Sequence, residues 1–242
     1  MAERRPPAAF LTAEWRKLAM VNYAVDPDML RPFVPHGTEP DLFNGTCHVS
    51  LVGFLFARTR LKGVPVPFHT RFPEVNLRFY VRHRSAEGWR RGVVFIREFV
   101  PKPALALVAR GIYGEPYRTV PMAHRWRHDA QGLEVAYRWK RRRWHGLAVQ
   151  AGPTAAPMVP GGEEEFIAEH YWGYTRRGPQ RTMAYGVEHP PWAVYPVRGH
   201  TVDVDFGLLY GDRFATLGRQ RPASVLLAEG SPVVVRAGRW TG

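Results

Sequence analysis

Proline and glycine interrupt this chain so often that long helices have little room to form. The 242 residues include 22 prolines and 23 glycines, spread along the whole length. They leave segments of about 6 to 12 residues, which is the length of short strands joined by turns. We therefore expect a mainly β protein with few helices.

Three segments alternate apolar and polar residues with the period of two that a half-buried strand requires. They are residues 72–81, 133–139 and 201–208. In the first, the two faces carry opposite chemistry: Val75, Leu77, Phe79 and Val81 on one side, and Glu74, Asn76, Arg78 and Tyr80 on the other. Three further segments, 48–56, 93–100 and 104–108, are almost continuously apolar, which indicates strands covered on both faces.

Helices are expected at two places. Asp26 and Pro27 form an N-cap and first-turn pair, so a short helix is predicted from there to Val34. A second is predicted to begin near Gly162, where three glutamates suit the positive end of a helix dipole, and to end near Gly173.

The composition favours one folded domain over residues 1–242. Hydrophobic residues make up 45% of the chain and aromatic residues 13%, and we find no repeat or long linker. Residues 1–9 lack a signal-peptide pattern, and no apolar run is long enough for a membrane helix. The single cysteine, Cys47, cannot form an internal disulfide, so we expect a cytoplasmic protein.

The net charge of +13 raises the hypothesis of nucleic-acid binding. However, only four of the 34 basic residues are lysines (Lys17, Lys62, Lys102 and Lys140), a skew that codon usage can explain equally well. The one dense basic run, residues 140–143, is interpreted as a solvated hairpin tip. The sequence therefore favours neither a specific nucleic-acid partner nor a membrane partner.

No established metal, cofactor or nucleophile pattern occurs in the chain. His124 and His128 lack the flanking carboxylates or cysteines of a zinc site, and there is no dinucleotide, triphosphate or serine-nucleophile motif. Cys47 has only His48 beside it, and neighbouring strand residues point to opposite faces. We therefore predict no metal and no cofactor, and interpret Cys47 as a small buried thiol.

The polar row of residues 72–81 has two interpretations. If it faces solvent, Glu74, Asn76 and Arg78 are ordinary surface residues. If it faces the interior of a barrel, a carboxylate and a guanidinium share a site of low dielectric, where the pKa of an acid moves enough for acid–base chemistry.

The order of short motifs along the chain resembles the YqjF-like family of uncharacterised bacterial proteins. The motifs span nearly the whole sequence: residues 23–27, 30–37, 49–52, 72–81, 115–118, 166–175, 187–192, 209–211 and 224–231. This family looks like a branch of the acetoacetate decarboxylase-like superfamily. The resemblance implies an antiparallel β-barrel with a few short helices that encloses a polar pocket, with Glu74 similar to the pocket glutamate.

The resemblance also implies a changed active site. Acetoacetate decarboxylase forms a Schiff base through a lysine in a Tyr-Pro-Lys-Lys sequence. The similar segment here is Glu115-Pro116-Tyr117-Arg118, which puts tyrosine at the lysine position. A phenol cannot form an iminium, so decarboxylation by that route is not expected.

We expect a small-molecule pocket and retain two hypotheses for it, with homo-oligomerisation compatible with either. In the first, an enzyme acts on a carbonyl- or carboxylate-bearing metabolite by non-covalent acid–base chemistry, with Glu74, Tyr117 and Arg118 as catalytic residues. Arg118 or Arg78 would clamp an anion, and the remaining substrate contacts are assigned to Asn76, Arg78, Ser50 and His48. In the second, the pocket is a non-catalytic ligand sensor. A nucleic-acid binder, which rests on charge alone, is the least favoured alternative.

Overall fold

The computed structural model describes residues 8–112 and 114–241, and strands dominate this part of the chain. In chain order they are β1 Ala9–Val25, β2 Thr38–Pro40, β3 Cys47–Leu61, β4 Val64–Pro65, β5 Phe72–Ser85, β6 Gly88–Val100, β7 Tyr117–Thr119, β8 Met122–Asp129, β9 Gly132–Arg141, β10 Arg143–Ala151, β11 Ala156–Pro157, β12 Trp172–Gly178, β13 Arg181–Glu188, β14 Ala193–Tyr195, β15 Val197–Asp203, β16 Ser224–Arg236 and β17 Arg239–Thr241. The α-helices are α1 Pro103–Ile112, α2 Glu163–Ala168 and α3 Phe206–Tyr210. The predicted mainly β fold is confirmed.

Seven strands pair in an order that returns on itself and forms a ring. Starting at β16, the order is β1, β3, β5, β6, β12 and β13, and β13 pairs again with β16. Neighbours in the ring are antiparallel except β6 and β12, which pair in parallel over a short stretch. The ring matches the barrel expected from the resemblance, apart from this one parallel pairing.

A second sheet covers one side of the ring. Its strand order is β15, β10, β9 and β8. The two sheets share a core of fully buried side chains, among them Val75, Leu77 and Phe79 from β5 and Val135, Tyr137 and Trp139 from β9. The alternation predicted for 133–139 is therefore confirmed, with its apolar face in this core.

Strand β5 is buried on both faces as a result. Its apolar row packs under the second sheet, so its polar row faces the interior of the ring, next to an inner apolar cluster that includes Phe54, Tyr80 and Val93. Residues 47–56 of β3 are buried throughout, as the apolar run predicted, and most of 93–100 is buried as well. Buried charged side chains on β5 are the direct consequence of this layering.

The segment 104–108, predicted as a strand, lies instead in α1. Pro103 is the first helical residue, a position where its fixed φ and missing N–H are tolerated. Ala104 and Ala106 are strong helix formers. A short apolar run alone does not distinguish a buried strand from a helix, and here the local propensity favours the helix.

The segment 201–208 is only partly a strand. Strand β15 ends at Asp203, and α3 begins at Phe206. The side chain of Asp205 accepts a hydrogen bond from the backbone nitrogen of Leu208 at 2.9 Å, which caps the helix. The apolar residues past the end of the strand therefore belong to α3, where Phe206, Leu209 and Tyr210 are buried.

Both helices predicted from capping patterns are shorter than expected. Residues 27–29 and 31–33 form two successive 3₁₀ turns, because Pro32 has no N–H to continue an α-helix. The Asp26 side chain does cap the first turn. Helix α2 ends at Ala168 rather than near Gly173, and strand β12 starts at Trp172, where it pairs with β6 and β13.

The basic run at residues 140–143 forms the exposed turn between β9 and β10, as predicted. Arg142 takes a positive φ of 60° at the turn. Within the described part of the chain, no helix has both the length and the apolar character needed to span a membrane.

The close contact between the two sheets at Gly53 leaves no room for a larger side chain at this position. A Cβ added there would lie 2.7 Å from Cδ2 of Tyr137, whose hydroxyl is fixed by donation to the Lys17 carbonyl at 2.8 Å. We expect Gly53→Ala to lower the free energy of unfolding by about 2 kcal/mol, measured by urea denaturation. In Gly146→Ala the nearest atom lies 3.8 Å away, so the change should stay within about 0.5 kcal/mol. Equal losses in both variants would contradict this packing.

Candidate functional site

A cavity of about 210 Å³ lies inside the ring. Its walls are mainly apolar and aromatic, with Trp15, Phe54, Phe56, Phe72 and Trp192 among the side chains that line it. A smaller group of polar side chains converges on it: Glu74, Asn76, Arg78, Glu98, Glu115, Tyr117 and His170. Such a combination is typical of a small-molecule site.

Three of these polar residues form the inward row of β5. Glu74, Asn76 and Arg78 have exposed fractions of 2%, 1% and 7%. Of the two interpretations left open by the sequence, the structure shows the interior one. The row lies inside because the other face of β5 is covered by the second sheet.

Glu74 is held by two hydrogen-bond donors. Its Oε1 accepts from Nδ2 of Asn76 and its Oε2 from the hydroxyl of Tyr117, both at 2.9 Å. Burial raises the pKa of the Glu74 carboxyl to about 7, although these two bonds and the positive charge of Arg78 lower it. A carboxyl with this pKa can accept and release protons near neutral pH.

Two further buried glutamates, Glu98 and Glu115, face the same cavity. Glu98 on β6 pairs in register with Asn76 on β5, and Glu115 precedes β7. Burial, together with the charges of Glu115 and Glu74, raises the pKa of Glu98 well above its ordinary value. Burial also raises the pKa of Glu115 to about 7, against the opposing hydroxyl bonds from Thr175 and Tyr185.

Sequence analysis gave neither of these acids a role. A signal for Glu98 was present, because a lone glutamate inside the apolar run 93–100 has to be buried with that run. Glu115 belongs to the segment that resembles the lysine motif, but that resemblance indicates only the positions of Tyr117 and Arg118.

Tyr117 and Arg118 point in different directions. Strand β7 pairs with β6 so that Tyr117 lies in register with Glu98 and lines the cavity. Arg118 is exposed, since successive strand residues alternate between faces. Arg118, expected as a catalytic residue or anion clamp in the pocket, therefore lies outside the cavity, and Arg78 is the arginine among the lining residues.

The Arg78 guanidinium is buried without a carboxylate in ion-pair contact among the described residues. Its Nη2 donates to the carbonyl of Ile167 at 3.2 Å and contacts Sδ of Met20 at 3.7 Å, while its Nε has no hydrogen-bond partner. A buried cation that lacks a counter-ion favours an anionic ligand.

His48 and Ser50 lie on the inner face of β3 but are not among the side chains that line the cavity. The Ser50 hydroxyl bonds to Asn22 Oδ1 and to the Tyr80 hydroxyl, both at 2.6 Å. Nε2 of His48 lies 3.5 Å from Glu163. These residues form a separate buried network beside the cavity.

His170, which the sequence analysis did not select, lines the cavity wall. Its Nε2 lies 3.1 Å from Oδ2 of Asp41, and its Nδ1 is buried without a hydrogen-bond partner. Burial lowers the pKa of His170 to about 4, so the ring is neutral near pH 7 and donates from Nε2 to Asp41. Its unpartnered Nδ1 is then an acceptor.

Cys47 is a buried thiol whose pKa is raised by burial to about 11, which suppresses thiolate chemistry. Across residues 8–112 and 114–241, no group of three or more His, Cys, Asp or Glu side chains is arranged to hold a metal ion.

Comparison with known proteins identifies relatives over most of the chain. The model of the DUF2071 family, described as an uncharacterized conserved protein, matches residues 12–232. The uncharacterized protein YqjF of Bacillus subtilis (strain 168) is 28% identical over 185 residues, which cover 74% of this chain and 72% of YqjF. The resemblance inferred from the sequence motifs is confirmed.

Solved structures with the same fold include acetoacetate decarboxylase from Legionella pneumophila, with a TM-score of 0.67 and 12% identity. The match covers all of this chain and 91% of that one. The enduracididine biosynthesis enzyme MppR, complexed with pyruvate, gives a TM-score of 0.66 at 17% identity and covers 99% and 92% of the two chains. The acetoacetate decarboxylase-like fold is therefore shown.

The raised pKa of Glu74 predicts a pH-dependent effect of Glu74→Gln on stability. The native state binds the carboxyl proton of Glu74 more tightly than the unfolded chain does, where the pKa of a glutamate is 4.5. The free energy of unfolding therefore falls as the pH rises from 4.5 to about 7. The variant should therefore gain stability relative to the unmodified protein over this interval, by at most about 1.4 kcal/mol per pH unit.

Urea denaturation of both proteins between about pH 4 and pH 8 measures this difference. Glu87→Gln is the control, because Glu87 is exposed and bonds to Arg90. A constant difference between Glu74→Gln and the unmodified protein at all pH values would contradict a raised pKa.

Proposed function

This chain belongs to the DUF2071 family of uncharacterized conserved proteins, and we propose that it is an enzyme that moves a proton on a carbonyl compound bearing a carboxylate, without a covalent intermediate. One observation carries the proposal. The buried Glu74 carboxyl, with a pKa of about 7, shares a cavity with the buried Arg78 guanidinium, which has no carboxylate partner among the residues that the structure describes.

In the proposed mechanism, Arg78 binds the substrate carboxylate. Its unpartnered Nε and the absence of a competing ion pair leave the charge available to an anion. The apolar walls around Trp15, Phe54 and Phe72 exclude water and accept the substrate's carbon chain.

Glu74 then removes a proton from the carbon next to the carbonyl. Once its carboxylate is protonated, it no longer needs the hydrogen bond from Tyr117, and that hydroxyl can donate to the developing enolate oxygen. Asn76 holds the other oxygen of Glu74 and orients the carboxyl. This proton removal is the enolisation, and return of a proton from Glu74 to the same carbon regenerates the carbonyl compound.

The lysines support a non-covalent route. Lys17, Lys62, Lys102 and Lys140 are the only lysines in the sequence, and none is among the side chains that line the cavity. The position that resembles the Schiff-base lysine carries Tyr117, which faces Glu74.

Isotope exchange tests the proposed chemistry. We use 2-oxo-4-phenylbutanoate, an oxo acid with an apolar chain, and follow replacement of its C3 protons in D2O by proton NMR. The protein should accelerate exchange over buffer, and Glu74→Gln should reduce that acceleration by about 100-fold or more. Arg142→Ala, on the exposed turn, should leave it unchanged.

The same experiment separates the enzyme from the alternative of a ligand sensor. Tight binding of the oxo acid, measured by calorimetry, with no accelerated exchange would favour a sensor and contradict proton transfer. Acceleration that survives in Glu74→Gln would remove Glu74 from the mechanism.

Borohydride trapping tests the absence of a Schiff base. Incubation with pyruvate and sodium borohydride should leave the intact mass of the protein unchanged, because trapping requires an accessible amine in the site. The control omits pyruvate. A pyruvate-dependent mass increase that maps to Lys62 or Lys102 would revive the decarboxylase-type mechanism.

A further inference from the structure

One wall of the cavity presents hydrogen-bond acceptors that the protein leaves unused. Three buried oxygen atoms there have no hydrogen-bond partner in the described part of the chain: Oδ1 of Asn76, Oε2 of Glu98 and Oε2 of Glu115. All three residues line the cavity and are at most 4% exposed. Leaving such atoms unsatisfied in a buried site costs free energy, and a ligand that donates to them removes that cost.

Strand register brings these acceptors together. Asn76 pairs with Glu98 across β5 and β6, and Glu98 pairs with Tyr117 across β6 and β7. Glu115 lies two residues before Tyr117, and its charge contributes to the raised pKa of Glu98. The acceptors therefore occupy one region of the cavity rather than scattered positions.

Carboxyl side chains outnumber arginines around the cavity. Three carboxyls, on Glu74, Glu98 and Glu115, face a cavity to which Arg78 contributes the one arginine among the lining residues. Arg78 is turned towards the carbonyl of Ile167, and no ion pair joins it to any of the three acids. The raised pKa values of the three carboxyls show that their ionised forms lack compensating charge, which a ligand bearing only a carboxylate would not supply and a cation would.

We propose that the ligand of this cavity also carries a cationic nitrogen group, an ammonium or amidinium, which donates to Glu98, Glu115 and Asn76. An ammonium offers three donors and an amidinium four, which match the unused acceptors. The carboxylate end binds Arg78, as the proposed function already requires. Asn76 and Arg78 are two positions apart on one face of β5, about 7 Å along the strand, so the cation and the carboxylate lie at separate ends of a short ligand.

Two probes of matched shape test this inference. Both carry a carboxylate for Arg78, but 4-(aminomethyl)benzoate has an ammonium at the far end, whereas 4-ethylbenzoate ends in a methyl group. Calorimetry should show that the protein binds 4-(aminomethyl)benzoate at least about tenfold more tightly than 4-ethylbenzoate. Hydrogen bonds to charged groups contribute a binding free energy of that size.

The variants Glu98→Gln and Glu115→Gln should each reduce the affinity ratio of the two probes towards one. Glu87→Gln is the matched control on the exposed surface and should retain the full ratio. Thermal unfolding shows whether each variant is folded, and the use of two separate variants keeps the test available if one is not.

Each outcome bears on a distinct claim. Equal affinities, or tighter binding of 4-ethylbenzoate, would overturn the cation site and leave the carboxylate site standing. A preference for the ammonium probe that persists in both glutamine variants would also overturn it. Failure of both probes to bind would contradict the carboxylate site, and with it both proposals.

Discussion

The burial of β5 on both faces is the constraint on which the rest of the structure depends. The second sheet takes up the apolar row of this strand, so the row of Glu74, Asn76 and Arg78 has only the ring interior to face. Desolvation there raises the pKa of Glu74 to about 7. In the same interior, Arg78 donates to a backbone carbonyl and has no carboxylate in ion-pair contact among the described residues. The cavity's chemistry is therefore a consequence of how two sheets pack.

The residue pattern within a single segment predicted the parts of the fold that depend on that segment alone. The alternation in 72–81 and 133–139 identified both strands and separated their faces correctly, because the side-chain period of a strand is two. It did not distinguish helix α1 from a buried strand, and the capping signal at Asp26 did not show that Pro32 would limit the turn to 3₁₀ geometry.

The candidate site was only partly predictable for a different reason. Glu98 lies beside Asn76 and Tyr117 because of the pairing register of β5, β6 and β7. The register between strands cannot be predicted from the sequence of any one segment. The alternation rule already implied that Tyr117 and Arg118 could not face the same way. The comparison with the lysine motif nevertheless placed both in the pocket, and the structure puts Arg118 outside.

The chain as a whole is basic, whereas acidic side chains gather in the cavity. The net charge is +13, yet the acids Glu74, Glu98 and Glu115 gather inside the ring. Several arginines near the surface lie over tryptophan rings, such as Arg82 over Trp89 at 4.4 Å, where their side chains pack while their charges stay close to water.

The proposed proton transfer depends on the protonation state of Glu74 in the interior. A carbon-13 NMR titration of the Glu74 carboxyl, assigned by comparison with Glu74→Gln, measures it most directly. The titration midpoint is expected at about 7. A midpoint at or below the ordinary glutamate value of 4.5 would contradict a raised pKa at Glu74 and the proton transfer that depends on it.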